Sequence, residues 1–143
     1  MYKNKKEAFA YFGAIQKNER WSWAATTPEK DKVVVTIWAH EIKGKGTDQY
    51  YDSRELETIS PDEWQGNIGN DERKELLKHA RDNLDGVLNV ALLKAVDKNA
   101  TDKVVDTAYP WSSAKDDHRM KLTFLDEETG DWRAEYLDSV PKK

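Results

Sequence analysis

Apolar positions recur at helical spacing in two stretches and at strand spacing in several others. Ala8, Phe9, Phe12 and Ile15 form one stripe, so residues 5–16 read as a short helix. Gly13 weakens it and Asn18 is its stop. Residues 20–26 alternate. Trp21, Trp23 and Ala25 point one way, and Ser22 and Ala24 the other, which predicts a strand with two indoles on one face. Residues 27–32 form a turn cornered at Pro28, and the β-branched run 33–38 is a strand that is apolar on both faces. The two strands make a hairpin.

Residues 42–69 are irregular, broken by Gly44, Gly46, Pro61, Gly66 and Gly69. Short edge strands are expected at 49–51 and 55–59. A second helix spans 71–84, capped by Asn70 or Asp71. Leu76, Leu77, Ala80 and Leu84 form its buried stripe, and Asp85-Gly86 ends it. Beyond Gly86, the continuous apolar run 87–96 suits a central strand. Residues 97–100 are a turn, 104–108 a short strand and 109–117 a loop. Residues 120–125 and 132–137 alternate, joined by the Gly130-containing loop 126–131 as a hairpin.

This order predicts an α+β fold forming a single domain over residues 1–143. Hairpins dominate, so a curled, mostly antiparallel sheet or a small open β-barrel with two packed helices is expected.

Composition removes several functions. There is no cysteine, which excludes disulfides, thiolate zinc sites and cysteine nucleophiles. No apolar run approaches the ~20 residues of a membrane span, and no apolar signal core follows the N-terminal charges. A cytoplasmic protein without a membrane partner is expected. The 23 Lys+Arg and 27 Asp+Glu leave a net charge of −4. That balance opposes non-specific gripping of phosphate backbones, although a local basic patch stays compatible with it.

Catalytic signals are weak. His40, His79 and His118 have no metal-ligand spacing, and His118 in Asp116-Asp-His reads as a solvated loop residue. Glu41-Ile-Lys43 with Asp31 upstream resembles a nuclease fragment. An extended strand between them would hold the two carboxylates about 33 Å apart, too far for one metal ion. The acidic stretch Asp48, Asp52, Glu55 and Glu57 matches no known metal loop and reads as a solvated edge. No catalytic residue, metal or cofactor is therefore assigned.

Aromatic residues are the stronger signal. Six tryptophans and six tyrosines exceed what a small core needs. An indole in a core also requires a partner for its N–H. Trp21, Trp23 and Trp38 are the candidate walls of a pocket for a flat guest such as a nucleobase, with Trp111 and Trp132 elsewhere. Asn18 and Ser22 would read polar base edges, and Arg20, Lys43 and Lys45 would hold phosphate.

Asn18-Glu-Arg-Trp21-Ser-Trp23-Ala, the run 33–38 with Glu41, residues 94–100, and the 122–135 hairpin resemble a domain that accompanies HNH-type endonucleases in bacterial defence. Together they cover most of the chain. The resemblance implies a PUA/EVE-like reader of modified bases, a nucleic-acid ligand and an endonuclease partner. The chain carries no nuclease half, and its site residues rest on aromatic placement alone. The competing expectation is an acidic protein-interaction or regulatory module that binds no nucleic acid.

Overall fold

The computed structural model describes residues 5–16, 23–55, 68–95, 105–112 and 116–141. Two helices and seven strands are present among the described residues. They are α1 (Lys5–Tyr11), β1 (Ala24–Thr26), β2 (Val33–Trp38), β3 (Tyr50–Asp52), α2 (Ile68–Asn83), β4 (Val87–Ala95), β5 (Val105–Pro110), β6 (Asp116–Leu125) and β7 (Trp132–Pro141). The fold is α+β with a mostly antiparallel sheet.

The strands lie in the order β1-β2-β4-β6-β7-β3, with β5 also paired to β4. Only the β2–β4 pairing is parallel; the remaining pairings are antiparallel. Parallel neighbours need a long crossover, and β3 and α2 lie within it. Strand β4 is central, as its unbroken apolar run predicts. Its far edge is shared: β6 pairs with Val87, Leu88 and Asn89, and β5 takes over from Ala91 onward. Trp111 bridges the fork by donating its backbone N–H to the Val90 carbonyl at 2.8 Å.

The barrel expectation is corrected, because β1 and β3 end the strand order and the sheet is open. The physical reason lies in β2 and β4, which are apolar on both faces and so need two covers. Val33, Val35, Ile37, Leu88, Val90 and Leu92 join Leu77 and Ala80 of α2 in one core. Val34, Ala91 and Leu93 join Ala8, Phe9 and Phe12 in a second core beneath α1.

The first helix is shorter than its apolar stripe predicts. Gly13 takes φ +78°, and Ala14 and Gly13 donate back to the Phe9 and Ala10 carbonyls at 3.0 and 2.9 Å. That double return is a Schellman stop, open to glycine because it has no Cβ. Ile15 consequently leaves the stripe. It is 67% exposed and bridges Thr26 on the outer edge of β1. The strand expected from residue 20 is seen from Ala24; residues 17–22 lie outside the described residues, as does the 56–59 part of the second edge strand. The 109–117 loop expectation is also corrected at both ends. Pro110 still belongs to β5, and β6 already begins at Asp116, pairing with Pro141 of a longer β7.

Candidate functional site

The residues named from sequence do not assemble into one pocket among the described residues. Trp23 lies against α2, 4.8 Å from the Arg73 guanidinium carbon. Trp38 packs on the other face of the sheet, against the core beneath α1. Lys43 and Lys45 are exposed beyond the C-terminal end of β2, where Lys43 exchanges backbone hydrogen bonds with Tyr50 at 2.9 Å. Asn18, Arg20, Trp21 and Ser22 lie outside the described residues.

Trp23 instead belongs to a buried polar hub. Arg73 is 5% exposed, and its guanidinium also stands 5.8 Å from the Trp132 ring. Trp132 packs on Tyr51 with ring centroids 4.6 Å apart. Burial pulls the Arg73 pKa down, and the nearby Tyr51, Asp131 and Glu41 oppose that shift. Burial is also the main cause that pushes the Tyr51 phenol above its ordinary value. The Asp131 carboxylate accepts the Ser53 hydroxyl at 2.8 Å and the Thr129 hydroxyl at 3.2 Å. Ser53 in turn accepts the Trp132 backbone N–H at 2.8 Å. This hub ties α2, the 3₁₀ turn Ala39–Glu41, β3 and β7 together. Its sequence signal is Arg73 itself, which sits four residues before Leu77 on the buried stripe of α2.

A second aromatic group forms where β5 passes into β6. The rings of Trp111 and His118 stack 5.1 Å apart at 26°, and Tyr136 meets Trp111 edge-on at 5.9 Å. All three are half-buried. His118 is thus an aromatic packing partner on a strand, where the sequence suggested a solvated loop residue. Among the described residues, no group of three or more His, Asp or Glu side chains could hold a metal ion.

The neighbours of His118 face the other way. Asp117 and Arg119 point to the α1 side, where a cleft of about 410 Å³ opens. It lies at the end of the sheet where β2 and β4 both begin. Asn89 and Arg119 line it from a cross-strand row that runs Ala25, Val34, Asn89, Arg119, Asp138 from β1 to β7. The row begins apolar beneath α1 and turns polar where α1 no longer covers it. Leu84 and Val87 supply apolar lining, and Asp31, Lys32 and Asp85 stand around it.

Most charges in this cleft are already engaged. The Arg119 guanidinium donates to both carboxylate oxygens of Asp138 at 2.6–2.8 Å. Asp117 accepts the Tyr11 hydroxyl at 2.6 Å, which pins the end of α1 to the rim. Asp31 accepts the Thr27 hydroxyl. Asn89 differs: its side chain has no hydrogen bond among the described residues, although the residue is only 7% exposed. Sequence reasoning missed it. The available signal was a single polar residue inside the apolar run Val-Leu-Asn-Val-Ala-Leu-Leu.

The α2–β4 turn that walls the cleft depends on backbone geometry. Asp85 and Gly86 take φ +56° and +77°, and the Gly86 N–H reaches back to the Ala80 carbonyl at 2.8 Å. A Cβ on Gly86 would stand 3.3 Å from the Leu122 carbonyl oxygen, so close approach and dihedral both favour glycine.

The chain matches no protein-family model, and no match was found among curated proteins or solved structures. No helix among the described residues is long and apolar enough to cross a membrane.

Proposed function

We propose that this chain is a non-catalytic module that recognises a nucleobase-bearing ligand in the cleft lined by Asn89. The observation that carries the reading is Asn89, only 7% exposed, whose carboxamide lines an open cleft and makes no hydrogen bond among the described residues. A carboxamide offers a donor and an acceptor side by side, the pattern by which asparagine pairs with a base edge. The cleft volume lies within the range of small-ligand pockets.

The reading carries with it the likeness to PUA/EVE-like base readers, a bacterial-defence setting, an endonuclease partner and a cytoplasmic location. What supports the finer fold assignment is the α+β class and the mostly antiparallel sheet. The base contacts move from Asn18, Ser22 and the Trp21/Trp23/Trp38 set to Asn89, because Trp23 and Trp38 stand on opposite faces of the sheet.

Ligand-observed NMR with nucleosides, nucleotides and short oligonucleotides tests the reading. Saturation transfer to base protons from at least one of the three sets is expected. Silence from all three at millimolar ligand rejects it.

The acidic interaction module stands as the second reading, favoured by one surface observation. Leu137 is 38% exposed on β7, near Glu135, which pairs with Arg133, and Asp138, which pairs with Arg119. With the net charge of −4, such a surface suits a basic protein partner. A basic protein co-purifying from the native host without nucleic acid would favour it.

A further inference from the structure

We infer that the Asn89 cleft selects an unphosphorylated nucleoside whose base carries an exocyclic amino group. The inference rests on the base-recognition part of the proposed function and departs from its polynucleotide setting.

The charges around the cleft decide the class. Asp31, Asp85 and Asp117 contribute three carboxylates, and Lys32 and Arg119 contribute two cations. Ionised carboxylates only accept hydrogen bonds, so a ligand seated among them must bring donors. An exocyclic amino group and sugar hydroxyls are such donors. A carbonyl oxygen in place of the amino group would set acceptor against acceptor, and the carboxylate could not adapt. The Asn89 amide does not discriminate in this way, since it presents both a donor and an acceptor. Recognition of the base edge therefore rests on Asn89, and preference for the amino form rests on the carboxylates.

The same count disfavours phosphate. Arg119 is held by Asp138 through three contacts of 2.6–2.8 Å, which offset its charge. Lys32 has no ion pair among the described residues, so one uncommitted cation faces three carboxylates. A phosphate carries about two negative charges into that field, and like charges brought together in a partly enclosed site are strongly disfavoured. A nucleoside is neutral and meets no such penalty. The 410 Å³ of the cleft accommodates a molecule of this size.

Calorimetric titration of the full chain separates the possibilities. Adenosine and cytidine should bind at least ~tenfold more tightly than inosine and uridine, which carry oxygen at the amino position. Adenosine 5′-monophosphate should bind at least ~tenfold more weakly than adenosine, a gap that narrows with added salt. Asn89→Leu should remove binding while the thermal midpoint is retained. Asp85→Asn, at a left-handed position that asparagine tolerates, should shrink the adenosine-to-inosine ratio. Tighter binding of nucleotides or oligonucleotides than of nucleosides overturns this inference and leaves the base-recognition reading standing. Equal binding of adenosine and inosine overturns it as well. No heat from nucleosides, nucleotides and oligonucleotides alike overturns the reading and the inference together.

Discussion

Arg73 and Asn89 are two buried polar residues on opposite faces of one sheet, and the protein treats them in opposite ways. Arg73 faces β3 and β7 from α2, flanked by the indoles of Trp23 and Trp132 and by the Tyr51, Asp131 and Glu41 groups. Asn89 lies on β4 in the row between Val34 and Arg119, and its amide has no hydrogen bond among the described residues. Burying a charge is costly unless its surroundings compensate it. The Arg73 side surrounds the cation with the Tyr51, Asp131 and Glu41 groups, which oppose the effect of burial on its charge. The Asn89 side leaves a cleft above the amide. Burial of a polar group is therefore no sign of function by itself; the separating feature is that Arg73 is enclosed among opposing charges while Asn89 opens into a cleft.

The largest expected effect breaks the comparison from the Arg73 side. Arg73→Met removes the cation that lies near the buried Glu41 and Asp131 carboxylates. A loss of about 3–5 kcal/mol in urea unfolding is expected, as for other buried ion networks that lose one member. A loss below about 1 kcal/mol would mean that Arg73 is not compensated internally, and the contrast with Asn89 would disappear.

A smaller effect comes from Asp52, beside Tyr51 on β3. Its carboxylate accepts from Arg54 at 2.8–3.0 Å and from Arg133 at 3.3 Å, with Arg54 the main cause that holds its pKa below the ordinary carboxylate value. Because the folded pKa is the lower one, the stability it contributes is present above the unfolded value of about 3.9. It is lost as pH falls through the folded pKa. Asp52→Asn should therefore cost on the order of 1 kcal/mol at pH 7, with the difference from the parent shrinking as unfolding is measured toward pH 2–3. A constant difference across that range would separate Asp52 from the charge network that supports this side of the sheet.

Elements governed by local pattern were legible in the sequence, and relations between distant segments were not. The run 33–38 and the Gly86 break before β4 encode their own structure, because β-branching and a left-handed glycine act within a few residues. The stop at Gly13 was half-read: its weakening effect was visible, but the hydrogen bonds that end α1 at Tyr11 were not. A curled sheet and a small open barrel stayed as alternatives, and the parallel β2–β4 pairing was not foreseen because it joins segments some fifty residues apart. The candidate site failed for a related reason. Trp23 and Trp38 look like partners on a hairpin, yet the chain carries one beside α2 and the other beneath α1. Arg73 and Asn89 each left a polar mark beside an apolar pattern, and the sequence reading used neither. What the sequence could not show was which of the two had partners waiting.

The smallest stability effect is the most discriminating one. Asn89→Leu replaces the amide with an apolar side chain of the same heavy-atom count and branching, at a position whose row neighbour is Val34. If the amide is unpartnered, no protein hydrogen bond is lost. Stability should then stay within about 1 kcal/mol of the parent or rise, in contrast to the typical loss on altering a buried residue. Site residues commonly trade stability for function, so a variant that folds as well or better while binding nothing is the expected signature. A loss of 2 kcal/mol or more would show that Asn89 makes a bond that holds the fold together. Asn89 would then join Arg73 as a structural residue, and the cleft would lose the group that recognises its ligand.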